Sequence, residues 1–269
     1  MSWQTPKVDW TRADGVRDTD LNRIEGNSQY LYENKAELTD FNALKSTVDN
    51  ALYDINNRVL LQNIAIGTEF GLYESGVLVP FIKLVDNYES SGRILVVRKD
   101  CLYVSQLRSG GDTVYEGCLT DTWVNGTYGG GYPEMLSSAV QSVLTPVNIK
   151  SQGNFSLGTI SRKAFLLSMQ EMQLLGNDGI PLEGTSIAYF NTSTRRISRL
   201  NGSTTHYWTR SINNATGNAC YVSAGGTYAV GNANEATLGI RPAFTLPGTL
   251  EVTTGIPDTS NVLAVAEVL

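Results

Sequence analysis

What this sequence most plainly lacks is catalytic apparatus. Its 269 residues include a single histidine, His206. No GxSxG elbow, Walker loop, HExxH or strand-borne GxGxxG occurs. Gly129-Gly130-Gly131 has no adjacent Lys-Ser/Thr, so it does not read as a phosphate cradle. Carboxylates such as Asp178 and Glu235 are scattered without obvious partner acids, and there is no EF-hand loop or dense acidic triplet. A lone histidine in an aromatic block is more often packed, or stacked on a ligand, than a general base. The expectation is a protein that is not an enzyme, with no catalytic residue, no metal and no cofactor.

Other scarcities exclude partners and compartments. Charged residues are only 17 % and the net charge is −6. With no run of Lys or Arg, neither nucleic acid nor an anionic membrane is expected as a partner. The three cysteines, Cys101, Cys118 and Cys220, are too far apart in sequence for a CxxC pair or a zinc knuckle. Three is also the wrong number for a disulfide framework, so buried reduced thiols are expected. No apolar run approaches the ~20 residues of a membrane span. The amino-terminal MSWQTPKVDW has no apolar core segment, so no signal peptide is expected and synthesis is cytoplasmic.

What is present begins with helix. Residues 1–19 read as a polar lead-in whose Trp3 and Trp10 dock elsewhere. No proline occurs between residues 7 and 79. Thr19 or Asp20 can cap a helix. Leu21, Ile24, Leu31 and Leu38 follow a near seven-residue repeat, and Phe41, Leu44, Val48, Leu52, Ile55 and Val59 continue at spacings of three and four. A helix of roughly 40 residues with one apolar stripe cannot hide that stripe alone: it either lies on the globular domain or associates with copies of itself, and residues 20–66 are expected to self-associate as a coiled coil, with a homotrimer favoured. Whether one helix or two fills the segment stays open.

From Gly67 the pattern turns to strands, at Val77–Val85, Arg93–Val97 and Leu102–Leu107, divided by turn residues. Pro133 opens an amphipathic helix that runs to Leu144. Ser168-Met169-Gln170-Glu171 reads as the capping box of a short helix ending at Gly176. The expected class is α+β: a long amino-terminal helix, then antiparallel strands, two short helices and long loops over residues 67–250, and a tail over 251–269.

The most informative stretch is 206–244. It opens on Tyr207-Trp208-Thr209-Arg210-Ser211 and closes on Gly239-Ile240-Arg241-Pro242-Ala243-Phe244. Between them lie Asn, Gly, Ser, Thr and Ala, interspersed with tyrosine, the mixture that binding loops use. Arg210 and Arg241 read as locks on loop carbonyls or a buried carboxylate, and Phe244 as a core anchor. Tyr207 and Trp208 should point to opposite faces of a strand, one buried and one exposed. The candidate ligand-binding residues are His206, Trp208, Ile212, Asn213, Asn214, Thr216, Asn218, Tyr221, Tyr228, Asn232 and Asn234.

Three blocks carry a resemblance. They are Leu119–Tyr128 ahead of a helix, Ala164–Ser168 with Glu171, and Tyr207–Ser211 followed by Gly239–Phe244. In this order they resemble a family of uncharacterised domains of gut bacteria and their phages, one that looks like a branch of the C-type-lectin fold related in shape to formylglycine-generating-enzyme-like domains. Separately, Trp3-Gln4-Thr5-Pro6-Lys7 with Asp9-Trp10 and Asp20–Glu25 resembles the leader of phage tail proteins. The resemblance implies a virion tail or tail-tip protein whose leader attaches to other tail proteins and whose lectin-like head binds a host-surface glycan or protein. It is similar in concept to tropism determinants diversified by retroelements, whose variable residues lie near the carboxyl end and favour Asn. The calcium-dependent sugar motifs of C-type lectins and the oxidase cysteine pair have no counterpart here. A cell-wall-glycan-acting enzyme and a ligand-free baseplate module are the alternative readings.

Overall fold

The computed structural model describes residues 22, 27–30, 33, 35–56, 58–108, 114–127, 130–153, 156–174, 179–213 and 218–254. The chain divides into two compact units, residues 1–56 and 57–269. In the first, helix α1 spans Lys35–Asn56. It contains no Gly or Pro, and Lys45 pairs with Asp49 one turn on. Leu38, Phe41, Leu44 and Val48 are all exposed on it. The expectation of a helix of roughly 40 residues forming a coiled coil is corrected. Among the described residues α1 has 22 residues, and no coiled coil is seen. Val59 fits the helical spacing but lies in a strand. The lead-in tryptophans Trp3 and Trp10, with Leu21, Ile24 and Leu31, lie outside the described residues.

Among the described residues the second unit is built from sixteen strands and short helical turns. In chain order they are β1 (Arg58–Leu60), β2 (Glu69–Glu74), β3 (Val77–Val85), β4 (Ile94–Arg98), β5 (Val104–Ser105), α2 (Leu119–Asn125), α3 (Tyr132–Met135) and α4 (Ser138–Val143). There follow β6 (Val147–Gln152), β7 (Leu157–Arg162), β8 (Ala164–Leu166), α5 (Ser193–Arg196), β9 (Ser198–Leu200), β10 (Ser203–Thr205) and β11 (Tyr207–Ile212). The chain continues through β12 (Ala219–Val222), β13 (Tyr228–Gly231), β14 (Leu238–Gly239), β15 (Pro242–Leu246) and β16 (Glu251–Thr254).

Two sheets matter most. The larger has the order β1-β16-β2-β3-β4-β15-β8 and is antiparallel throughout. The smaller has the order β13-β12-β11-β14-β5, with β11 and β14 parallel. β6–β7 and β9–β10 are separate hairpins. Among the described residues strand outweighs helix, so sheet carries the architecture. The α+β, C-type-lectin-like expectation for residues 67–250 is therefore corrected to a mostly-β fold. Residues 251–254 are also not a separate tail, because β16 is inserted between β1 and β2 of the large sheet.

The physical reason lies in hydrogen bonds that compete with helix. The helix expected over Pro133–Leu144 is interrupted because Ser137 N donates to Tyr73 O and Leu136 bridges to Glu74. Those bonds extend β2 at the cost of a helical turn. The capping box at Ser168 does form: Ser168 N donates to Glu171 Oε2 at 2.8 Å and Glu171 N donates to Ser168 Oγ at 3.1 Å. Among the described residues only turns follow it, because Glu171 is held by the core instead of propagating a helix; the expected end at Gly176 lies outside them.

Candidate ligand-binding surface on the five-stranded sheet

β11 is the buried keel of this surface. All six of its residues are buried, from Tyr207 to Ile212. Alternation along one strand would leave alternate side chains in solvent, but both faces of this central strand are covered. Tyr207 OH donates to Arg196 O at 2.6 Å, and Trp208 Nε1 donates to Ser105 O at 2.8 Å.

Arg210 is fully buried and is the hub of the frame. Its Nη1 and Nη2 donate to Glu171 Oε2 and Oε1 at 2.7 and 2.9 Å. Its Nε donates to Lys150 O and its Nη1 also to Leu166 O, both at 2.9 Å. Tyr88 OH reaches the same Glu171 carboxylate at 2.5 Å. Burial alone would lower the Arg210 pKa, but the opposed Glu171 charge raises it, so the guanidinium stays charged in the core. Beside it, Glu183 accepts from Ser211 Oγ and, at 2.6 Å, from Gln152 N. Burial pushes its carboxyl up to about 7, against the opposing pull of Arg210. One guanidinium and two carboxylates therefore tie together β6, β8, β11 and the segment that carries Glu183.

The second anchor is the joint between the two large sheets. Leu238–Gly239 pairs in the small sheet and Pro242–Leu246 in the large one. Gly239 N donates to His206 O at 2.8 Å, and a Cβ built on Gly239 would lie 2.6 Å from Cys101 Sγ. Only glycine allows that approach without displacing a neighbour. Arg241 Nε donates to Arg98 O at 2.9 Å, and its guanidinium lies 5.3 Å from the centre of the Tyr207 ring. Both arginines thus act as the locks expected from sequence, and Phe244 is fully buried.

The exposed part of the sheet is different in kind. Tyr221 is directly opposite Trp208 on β11 and Ala229 on β13, so their side chains share one face. Its half-buried ring meets His206 edge-to-face at 5.6 Å and Trp208 at 5.8 Å. A Cβ on Gly231 would lie 3.1 Å from Tyr221 Cε1 and 3.5 Å from Glu235 Oε1, so ring and carboxylate converge over the same glycine. His206 is exposed, and its Nδ1 accepts from Ala224 N at 3.3 Å, which leaves Nε2 as the N–H that faces outward. The Tyr221 hydroxyl and the Glu235 carboxylate have no hydrogen-bonding side chain or backbone group among the described residues. Asn232 and Asn234 are exposed on the turn before Glu235, where Asn234 N donates to Asn232 Oδ1 at 3.1 Å.

The sequence-derived candidates divide accordingly. His206, Tyr221, Asn232 and Asn234 lie at the surface of this sheet, with Asn218 exposed at the start of β12. Trp208 and Ile212 are corrected: both are core residues, packed inside the covered strand. Asn213 is buried too, and its Nδ2 donates to the hydroxyl of the half-buried Tyr228 at 2.9 Å. Tyr228 lies opposite Val222, on the face away from Tyr221. Asn214 and Thr216 lie outside the described residues. Glu235 was missed as a site residue, although it is the only acid between positions 206 and 244, a signal open to sequence reading. The cysteines are free and buried; burial, with nearby Glu183, pushes the Cys220 thiol up to about 12. Among the described residues no three His, Cys, Asp or Glu side chains group as metal ligands.

A family model described as a domain of unknown function (DUF6273) matches residues 91–248, more than half of the chain, and the chain belongs to that family. The match runs from just before β4 through β15, so β1, β2, β3 and β16 complete the large sheet from outside it. No curated protein and no solved structure matches the chain.

Proposed function

We propose that the chain is a receptor-binding protein of a phage tail and that the sheet face around Tyr221 is its ligand surface. One observation carries the surface: Tyr221 OH, His206 Nε2 and the Glu235 carboxylate stand together without hydrogen-bonding partners among the described residues, next to a strand whose own polar side chains are engaged. Buried polar groups find partners within the fold, and polar groups left exposed around an aromatic ring are available to a ligand. The assignment to a tail rests on the resemblance of the first 35 residues to tail-protein leaders and of the three sequence blocks to phage-associated domains. On this reading residues 1–19 attach to other tail proteins, copies of the chain associate as a homotrimer, and the outward face binds a host-surface glycan or protein.

Cys220, the residue before Tyr221 on β12, favours binding over chemistry, because burial holds its thiol protonated. Retroelement diversification would act on the exposed positions of residues 206–237, since changes at Ile212 or Asn213 would disturb the core. Adsorption of the labelled chain to a panel of bacterial cells is the test. A cell type bound by the wild type and not by Tyr221→Ala supports the reading, and equal adsorption of both proteins counts against the surface. Sedimentation of the full chain at micromolar concentration checks the trimer, which a stable monomer would contradict.

A further inference from the structure

Resting on that reading of the Tyr221 face, we infer that its ligand is a neutral pyranose. The groups left unpaired among the described residues set the chemistry of the ligand. An aromatic ring offers a flat apolar surface that suits the C–H face of a sugar ring. A carboxylate carries two acceptor oxygens and no donor, which matches two neighbouring hydroxyls that both donate. The outward Nε2–H of His206 donates, and Tyr221 OH does either, so each has a partner in a sugar hydroxyl or ring oxygen. Peptide recognition by strand addition would use the edge of β13, one strand away from Tyr221, because β12 is paired on both sides.

Charge selects among sugars. Glu235 is the only carboxylate in the stretch and the chain as a whole carries −6. A uronic or sialic acid would bring a second carboxylate beside the first, without a cation in the exposed set to offset it. Arg210 and Arg241, the cations of the stretch, are both buried and engaged within the frame. Hydrogen bonds from neutral hydroxyls to Glu235 carry no such cost and are the strong, charge-assisted kind. The geometry also explains Gly231: a larger residue there would push the Tyr221 ring and the Glu235 carboxylate apart.

The test uses the full chain and four probes: the methyl glycosides of glucose, galactose, mannose and glucuronic acid, titrated by calorimetry or saturation-transfer NMR. At least one neutral glycoside binds, with single-site affinity on the order of 1 mM, and the glucuronide does not. Tyr221→Ala and Glu235→Gln each weaken the neutral ligand roughly tenfold or more, as loss of a charge-assisted bond or a stacking surface requires. Glu235→Gln also relaxes the exclusion, so glucuronide binding rises relative to the neutral sugar, a change that a merely structural role for Glu235 does not produce. Circular dichroism and the unfolding midpoint confirm that both variants are folded. The inference is overturned if no neutral glycoside binds, if the glucuronide binds as well as the neutral sugars, or if the neutral affinity survives Tyr221→Ala. Adsorption to cells that depends on Tyr221, in the absence of any sugar binding, would remove the pyranose and leave the receptor-binding surface standing. Sugar binding at Tyr221 without cell adsorption would do the reverse.

Discussion

The keel strand β11 and the neighbouring outer strands β12 and β13 make an instructive pair. They are hydrogen-bonded to one another, yet they use polar side chains in opposite ways. On β11, Arg210, Ser211 and Thr209 are buried, and each is engaged: by Glu171, by Glu183 and by Cys220 O. Around β12 and β13, the polar groups of Tyr221, His206 Nε2 and Glu235 face outward and are not engaged by the described residues. Burial forces the first set to find partners, because an unpaired buried charge is far more costly than an exposed one. Exposure releases the second set from that demand. The contrast separates what holds the surface in shape from what it offers to a ligand.

The largest effect should come from breaking the keel. Arg210→Met leaves the Glu171 carboxylate buried without its cation, and the loss of stability should be about 3–5 kcal/mol by urea unfolding. A variant as stable as the wild type would show that the keel is not held by this pair. Next comes pH. Between the usual carboxylate value of 4.5 and about 7, the folded chain holds a proton on Glu183 that the unfolded chain has already released. Stability contributed by that proton is present at low pH and is lost as pH rises through about 7. The difference approaches 3 kcal/mol at about 1.36 kcal/mol per unit, read from unfolding curves between about pH 5 and pH 8. Glu183→Gln should flatten that slope, and an unchanged slope would assign it to other groups.

Smaller effects test the joint and the surface. Gly239→Ala places a methyl against Cys101 and should cost about 1–3 kcal/mol through overpacking. At the exposed end, His206→Ala and Glu235→Gln should each change stability by no more than about 0.5 kcal/mol. A large loss at either position would move that residue into the supporting frame and blur the contrast between the two strands.

Sequence revealed the frame better than the architecture. Arg210, Arg241 and Phe244 were legible because a cation or a large aromatic flanked by small residues has few uses other than as a lock or an anchor. The β3 boundaries were legible from Val77–Val85 itself, with Ser75-Gly76 making the tight turn before it. The helical tail of the first segment was misread at Val59, which satisfies the three-to-four spacing by position but pairs with Val252, nearly two hundred residues later. Such a partner leaves no local trace. Similarly, Pro133–Leu144 has a sound helical pattern that is overridden by backbone bonds to β2. Trp208 reads from sequence as a ligand candidate because aromatic residues serve both cores and ligands, and only the cover over β11 decides which. Glu235 was visible as an isolated acid but acquired meaning only when the sheet brought it beside Tyr221.

The central claim is that the keel supports and the outer face binds. The most direct test measures cell adsorption and unfolding free energy together for Tyr221→Ala, with wild type alongside. The account predicts that adsorption is abolished, while stability falls by only ~1–2 kcal/mol from the lost edge-to-face contacts and the chain stays folded. Adsorption retained at the wild-type level by the folded variant would contradict it.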